Sequence, residues 1–348
     1  MHWEQLGDHG FDVAIVGATG VVGQMLLRVM SERRFPIRRL RLLASERSRE
    51  NSLGFRGRSL PIEPASIEAF EGAQLAFFAA TNELSETLAP AAVAQGAIAI
   101  DKSSSFRLRP DVPLVVPEVN AHTLDDHRGI VACPNCTTTG LVMALEPLRR
   151  KAGLRSLVVT TLQAVSGAGR DACAEFDQQR RALIQQTELE PARCFPVVIA
   201  DNVIAECGAF VADRYCTEEH KLLDETRKIF ELPSLGIAVT TVRVPVEVGH
   251  SAAVLVETET ALSVAAAREA YRGFSGVDYV ESETGPTPRD VLESDQVLVG
   301  RVRRDFDTER LWLWEVSNNL RKGAATNALQ IAEALWARGL VEPRTGLA

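Results

Sequence analysis

The chain opens with a short apolar run, residues 11–16. It breaks at Gly17-Ala-Thr-Gly20-Val-Val-Gly23 and resumes at helical spacing through Met25, Leu26, Val29 and Met30. A short apolar run closed by glycine reads as a buried strand, and recurrence every three or four positions reads as a helix. Further apolar runs at residues 39–44, 74–80 and 97–101, with a helical stretch at 91–95, continue the alternation. Strands alternating with helices predict a parallel, doubly wound sheet. Residues 129–133 form one more short strand, Pro134 and Asn135 make a turn, and Leu141, Val142, Leu145 and Leu148 repeat at helical spacing. Cys136 therefore falls at the start of a helix.

Beyond Cys136 the pattern changes. Residues 157–163 are β-rich and enter a small-residue loop, Ala164 to Gly169, followed by a polar helix from Asp171 to about Glu188 and loops around Pro191 and Pro196. A charged amphipathic helix is expected over 217–230 with Thr217 as its N-cap. Residues 239–248, 252–258, 296–303 and 311–316 read as strands. They predict a mixed, mainly antiparallel sheet carrying helices, so the second half is α+β. A last helix runs from Ala324 to about Arg338. Strand parity puts Arg243 and Val246 on opposite faces, and His250, past Gly249, nears Arg243 only if the chain bends there.

Composition narrows the class. At 348 residues the chain exceeds one ordinary core, so two domains are expected. Apolar residues at 46% and charged residues at 24% are the balance of a globular protein. No run approaches the roughly 18 apolar residues of a membrane span. The N-terminus lacks the basic and apolar regions of a signal peptide, so a cytoplasmic protein with reduced cysteines is expected. A net charge of −8 carries no nucleic-acid footprint. Neither a membrane partner nor a metal site is expected.

Strand, glycine turn and helix in succession are what a dinucleotide pyrophosphate requires, because glycine admits the phosphates and the helix start faces their charge. The spacing is GxxGxxG rather than GxGxxG. The strand over 39–44 ends at Ser45-Glu46-Arg47-Ser48, where such folds read the adenosine ribose. Arg47 with serine hydroxyls suits a 2′-phosphate and hence NADP. Glu46 would suit the free hydroxyl of NAD. Arg107 lies beyond the strand over 97–101, where ligands bind, although a surface arginine is the plainer reading. Cys136 sits where free N–H groups and the helix dipole favour a thiolate, the nucleophilic form; most free cysteines are simply small buried hydrophobes. Glu218 and Lys221 share a helix face and, taken alone, read as an exposed ion pair.

Together these blocks resemble the aspartate-semialdehyde dehydrogenase family. The match runs from GATGVVG through SSSFR, VPLVVPEVN, PNCTTT, QAVSGAG, EEHK, RVPV..GHS and NNLRKGAATNALQIAE, in the family's order and approximate spacing. The resemblance implies a Rossmann-type NADP-binding domain over 1–134, rejoined by the C-terminal helix segment 323–348, and a catalytic and dimerisation domain over 135–322. It implies a homodimer, with a tetramer as the larger alternative, and inorganic phosphate and a small amino-acid derivative as partners. The implied reaction is NADPH-dependent reductive dephosphorylation of L-aspartyl 4-phosphate to L-aspartate 4-semialdehyde, serving lysine, threonine, methionine and diaminopimelate synthesis. Carried over by motif, Cys136 resembles the thioester nucleophile, His250 the acid/base and Gln163 the residue orienting the intermediate. Arg243 resembles the clamp on the α-carboxylate, Glu218 the ammonium contact, Arg107 and Lys221 the phosphate ligands, and Asn135 a further substrate neighbour. Gly17, Thr19, Gly20, Val21, Val22, Gly23, Arg47, Ser48, Ser166, Gly167 and Asn319 match cofactor positions.

Departures from the family pattern stand at Glu46, Lys102, Cys133, Leu162, Ala205 and Asn318. They leave coenzyme preference and turnover efficiency open. N-acetyl-glutamyl-phosphate reductase shares the chemistry but typically carries a PGCY-type motif where this chain has Pro134-Asn-Cys-Thr. A lapsed paralogue would be expected to lose the cysteine or the Arg/His pair, which this chain keeps. Cys133-Pro-Asn-Cys136 is also a CxxC at a helix start, the pattern of a dithiol switch.

Overall fold

The computed structural model describes residues 3–48 and 51–346. The chain divides into two compact units, one running to Pro134 and resuming at Ala324, the other Asn135–Gly323.

The first unit runs β1 (Glu4–Gln5), β2 (His9–Val16), α1 (Val21–Glu32), β3 (Ile37–Ala44), β4 (Ser52–Phe55), β5 (Arg58–Pro64), β6 (Leu75–Phe78), α2 (Asn82–Ala94), β7 (Ile98–Asp101), α3 (Pro117–Asn120) and β8 (Ile130–Ala132). Strand order is β4-β5-β3-β2-β6-β7-β8, and every pair from β5 to β8 is parallel. Parallel strands covered on both faces need near-continuous apolar sequence, which explains why β2, β6 and β7 are legible as runs. The chain leaves β2 for β3 on one side and returns to β6 on the other. Ligands of doubly wound sheets bind outside the strand ends at such a reversal. Phe11, Val13, Ile15, Leu40, Leu42, Leu75, Phe77 and Ile100 form the core with Leu26, Val29 and Met30 of α1. Each such side chain, fully buried, contributes roughly 1.5–3 kcal/mol.

The second unit contains α4 (Cys136–Ala152), β9 (Ser156–Gln163), α5 (Arg170–Gln185), α6 (Thr217–Phe230), β10 (Gly236–Arg243), β11 (His250–Glu257), α7 (Val264–Tyr271), β12 (Val277–Val280), β13 (Val297–Arg304) and β14 (Leu311–Ser317). Its sheet has the order β10-β9-β11-β14-β13-β12. The three inner pairings are antiparallel and the two outer ones parallel, a mixed sheet. Helix α4 is buried from Thr137 to Leu148. It lies against β14 at Gly140, where a Cβ would stand 2.3 Å from Ser317 Oγ and 2.4 Å from Glu315 Oε1. A side chain there would have to displace both of those groups. The chain then returns to the first unit through α8 (Thr326–Ala337), whose Leu329, Ile331 and Leu335 join its core, and β15 (Arg344–Thr345), which pairs with β2.

Several local expectations are corrected. The strand expected over 239–248 is Gly236–Arg243 and stops before Pro245, which has no N–H to offer a ladder. Val246 N–H turns back to the Val244 carbonyl at 2.8 Å, so strand parity does not relate Arg243 to Val246. Thr217 is the first helical residue of α6 rather than its cap; Cys216 caps, with extended backbone, its N–H held by Glu219 Oε2 at 2.8 Å. The last helix begins at Thr326, because Arg321–Ala325 is wound as a wider π-turn. Among the described residues no helix is long and apolar enough to cross a membrane.

Candidate active site

Within the second unit, Asn135 caps α4. Its side-chain oxygen accepts the Thr137 N–H at 2.9 Å and its carbonyl accepts the Thr139 N–H at 2.9 Å, leaving Cys136 as the first helical residue. The N–H groups of a first helical turn have no partners within the helix, so positive potential gathers there. Cys136 Sγ stands 3.2 Å from His250 Nε2. His250 is the first residue of β11, buried, and turned inward after Gly249, whose φ of +102° brings the backbone against Pro288. The other ring nitrogen, Nδ1, accepts the Ala164 N–H at 3.0 Å. A lone pair used at Nδ1 puts the proton of the neutral ring on Nε2, facing sulfur.

Gln163 and Arg243 end adjacent parallel strands and are register partners, so both project from one face. Main-chain bonds with Ile204 at 2.8 and 3.0 Å fix the Arg243 backbone, and Arg243 Nη1 donates to the Ala164 carbonyl at 2.7 Å. The peptide groups of Ala164 thus orient both the guanidinium and the imidazole. A Cβ at Gly167 would lie 3.1 Å from His250 Cε1 and 3.3 Å from Arg243 Nη1, so the two side chains converge on a bare backbone. Asn319 Nδ2 donates to Ser166 Oγ at 2.9 Å while its Oδ1 accepts the Gly249 N–H at 2.9 Å, tying the small-residue loop to the turn before His250.

The Glu218–Lys221 pair is more than an exposed ion pair. Lys221 Nζ donates to Glu218 Oε1 at 2.6 Å, while Oε2 accepts from Asn135 Nδ2 at 2.8 Å and Gln163 Nε2 at 3.4 Å. Burial opposes ionisation of Glu218, yet the Lys221 charge and the three hydrogen bonds hold its carboxyl below the usual range. Cys136, Asn135, Gln163, Glu218, Lys221, Arg243 and His250 therefore form one contiguous group drawn from five separate elements, α4, β9, α6, β10 and β11, and the turn before α4.

The remaining candidates belong to the first unit. Gly17 follows β2 with φ +80°, and a Cβ there would fall 2.2 Å from the Ala79 carbonyl. At Gly23 a Cβ would fall 2.3 Å from the Gly17 carbonyl. Helix α1 begins at Val21 with Gly20 as its cap and no side-chain cap hydrogen bond, so side chains leave the N–H groups of Val21, Val22 and Gly23 open to an anion. This backbone cradle, with Thr19 between the glycines, fits a dinucleotide pyrophosphate. Glu46 and Arg47, both exposed, occupy a single turn after β3; the side chain of Ser48 lies outside the described set. Arg107 is buried after β7, with Nη2 on the Lys102 carbonyl at 2.7 Å. Beneath it burial pushes the Asp101 carboxyl up, partly offset by Ser103, Ser85 and the Arg107 charge. Lys102 Nζ donates to the Pro134 carbonyl. Cys133 is fully buried here.

Two further buried acids carry no motif that marks them in the sequence. Glu225 accepts the Asn135 N–H at 2.6 Å. It recurs seven residues after Glu218, at a position where an amphipathic helix keeps its core face, and an acid there was the available signal. Glu315 is buried on β14 between Trp314 and Val316.

A doubly wound unit with a glycine-lined helix start, and a second unit carrying a paired thiol and imidazole, define a nicotinamide-dinucleotide-dependent oxidoreductase. Residues 12–127 match the semialdehyde dehydrogenase NAD-binding domain and residues 145–322 the semialdehyde dehydrogenase dimerisation domain. Aspartate-semialdehyde dehydrogenase of Bacillus subtilis (strain 168) is 42% identical over 344 residues, covering 95% of this chain and 99% of that protein. The enzyme of the same name from Aquifex aeolicus is 43% identical over 339 residues, with 95% and 100% covered. The crystal structure of aspartate semialdehyde dehydrogenase II from Vibrio cholerae, complexed with ASA, aligns with a TM-score of 0.93 at 40% identity, covering 95% of this chain and 99% of that one. The chain belongs to the aspartate-semialdehyde dehydrogenase family.

Proposed function

We propose that this protein catalyses the NADPH-dependent reductive dephosphorylation of L-aspartyl 4-phosphate to L-aspartate 4-semialdehyde, in the biosynthesis of lysine, threonine, methionine and diaminopimelate. The 3.2 Å approach of Cys136 Sγ to His250 Nε2 at a helix start carries the reading. In it, the Cys136 thiolate attacks the acyl carbon and phosphate leaves with the carbon–oxygen electron pair, giving a thioester. When bound, the nicotinamide supplies the hydride that reduces this acyl group. His250 holds its proton at Nε2 and shares it first with sulfur and then with the oxygen on which charge grows, so its acid/base work is done at that one atom. Collapse returns the carbon–sulfur electron pair to Cys136 as thiolate and the proton shared with the oxygen goes back to His250 Nε2, leaving the aldehyde. Gln163 orients the intermediate. Arg243 takes the α-carboxylate with its planar fork, Glu218 the ammonium, and Arg107 and Lys221 the phosphate oxygens, with Asn135 alongside. Gly17 to Gly23 would hold the pyrophosphate, Arg47 and Ser48 the 2′-phosphate of NADP, and Ser166, Gly167 and Asn319 the remainder of the cofactor.

The unit ending at Pro134 and resuming near residue 323 is the proposed NADP domain, and the other the catalytic and dimerisation domain of a cytoplasmic homodimer. The test is oxidation of aspartate semialdehyde by the purified protein with and without inorganic phosphate, comparing NADP with NAD. Phosphate-dependent formation of NADPH, faster than that of NADH, is expected; turnover indifferent to phosphate would defeat the proposal. Arg243→Lys is expected to raise KM for aspartate semialdehyde about tenfold or more, since a point charge replaces a bidentate fork. An unchanged KM counts against that assignment.

A further inference from the structure

The cap that aims Cys136 is incomplete within its own helix. In a capping box, the third helical residue returns a carboxylate to the N-cap N–H. Helix α6 does this for itself through Glu219 and Cys216. In α4 the third helical residue is Thr138, too short to reach back, and its Oγ1 is buried without a hydrogen-bond partner. Yet the Asn135 N–H is taken, at 2.6 Å, by Glu225 Oε2 from α6. Glu225 is only 1% exposed, so the Asn135 N–H satisfies an acceptor oxygen that is largely out of reach of water. It stands two turns after Glu218, on the same face, and Glu218 Oε2 holds the Asn135 side chain at 2.8 Å. Helix α6 therefore grips Asn135 at both backbone and side chain, while Asn135 Oδ1 caps the helix that Cys136 begins.

We propose that Glu225 is a positioning residue for the nucleophile: by accepting the Asn135 N–H it completes the α4 cap from a neighbouring helix and fixes the direction of the Cys136 thiol toward His250. This rests on Cys136 being the reactive thiol. The acceptor oxygen at full side-chain length is what matters, so Glu225→Gln retains the function, whereas Glu225→Asp withdraws the oxygen and Glu225→Met removes it at similar volume.

The experiment is alkylation of the full-length protein by iodoacetamide across a pH series, with modification of Cys136 followed by peptide mass and phosphate-dependent turnover measured in parallel. E225Q is expected to alkylate within about twofold of the unsubstituted protein, and E225D and E225M about tenfold more slowly near neutral pH, with their pH midpoints displaced upward as the helix-start environment is lost. Should E225M not fold, the contrast between E225D and E225Q decides alone. E225D reacting like the unsubstituted protein, or E225Q slowed as much as E225D, overturns the proposal. An active protein whose variants alkylate alike defeats the positioning role and leaves the proposed reaction standing. The expected order of alkylation in a protein without phosphate-dependent turnover does the reverse.

Discussion

Cys136→Ala is expected to reduce phosphate-dependent oxidation of aspartate semialdehyde by roughly 10,000-fold or more, because the covalent route disappears with the sulfur. No other thiol is equipped to replace it. Burial pushes Cys207 up to about 12, only partly countered by the Arg243 charge, and raises Cys173 as well. Cys194 is exposed but raised by residual burial and by Glu175. Cys136 is only half-buried and its helix is capped by Asn135 rather than by its own side chain, so truncation should leave the thermal midpoint within a few degrees of the parent. Activity and melting are measured on the same preparation. Substantial phosphate-dependent turnover in a folded C136A protein would falsify the thioester route.

The second large effect concerns stability rather than turnover. Glu315 is 2% exposed, its Oε1 has no hydrogen-bond partner, and burial pushes its carboxyl up to about 8, slightly offset by Ser317. An unfolded chain releases that proton near the ordinary glutamate value of roughly 4.3. Below that value both states keep the proton. Between it and about 8 the unfolded state has lost the proton and the folded state has not, so rising pH favours unfolding by roughly 1.4 kcal/mol per pH unit. Above about 8 the folded state ionises too and the slope ends. Glu315→Gln keeps the shape and removes the titration. Denaturant unfolding at pH 5 and pH 8 should show the parent losing on the order of 4 kcal/mol relative to E315Q. Other groups titrate equally in both proteins and cancel. Parallel pH dependences would show that Glu315 is not held neutral in the fold.

Both effects trace to side chains whose meaning differs between sequence and structure. Cys136 was legible because a strand, a Pro-Asn turn and helical spacing bracket it. Spacing along one helix predicts a solvated pair for Glu218 and Lys221 because it says nothing of what lies opposite. Nothing local to Glu225 gives it a task; its approach to Asn135, 90 residues earlier, does. The misjudged strand end at Arg243 has a local cause in Pro245, whereas the inward turn of His250 depends on Gly249 meeting Pro288.

The sequence alone determined the two-unit α/β plan, the glycine turn before α1 and the family. Apolar period, glycine spacing and helix starts are local properties that the chain carries wherever it folds. Only the tertiary structure decided which nitrogen of His250 faces sulfur, how the Ala164 peptide groups orient two side chains at once, and that the acids at 225 and 315 are buried. Those depend on contacts between residues far apart in the chain, where hydrogen-bond direction and loss of water, rather than propensity, set the energy.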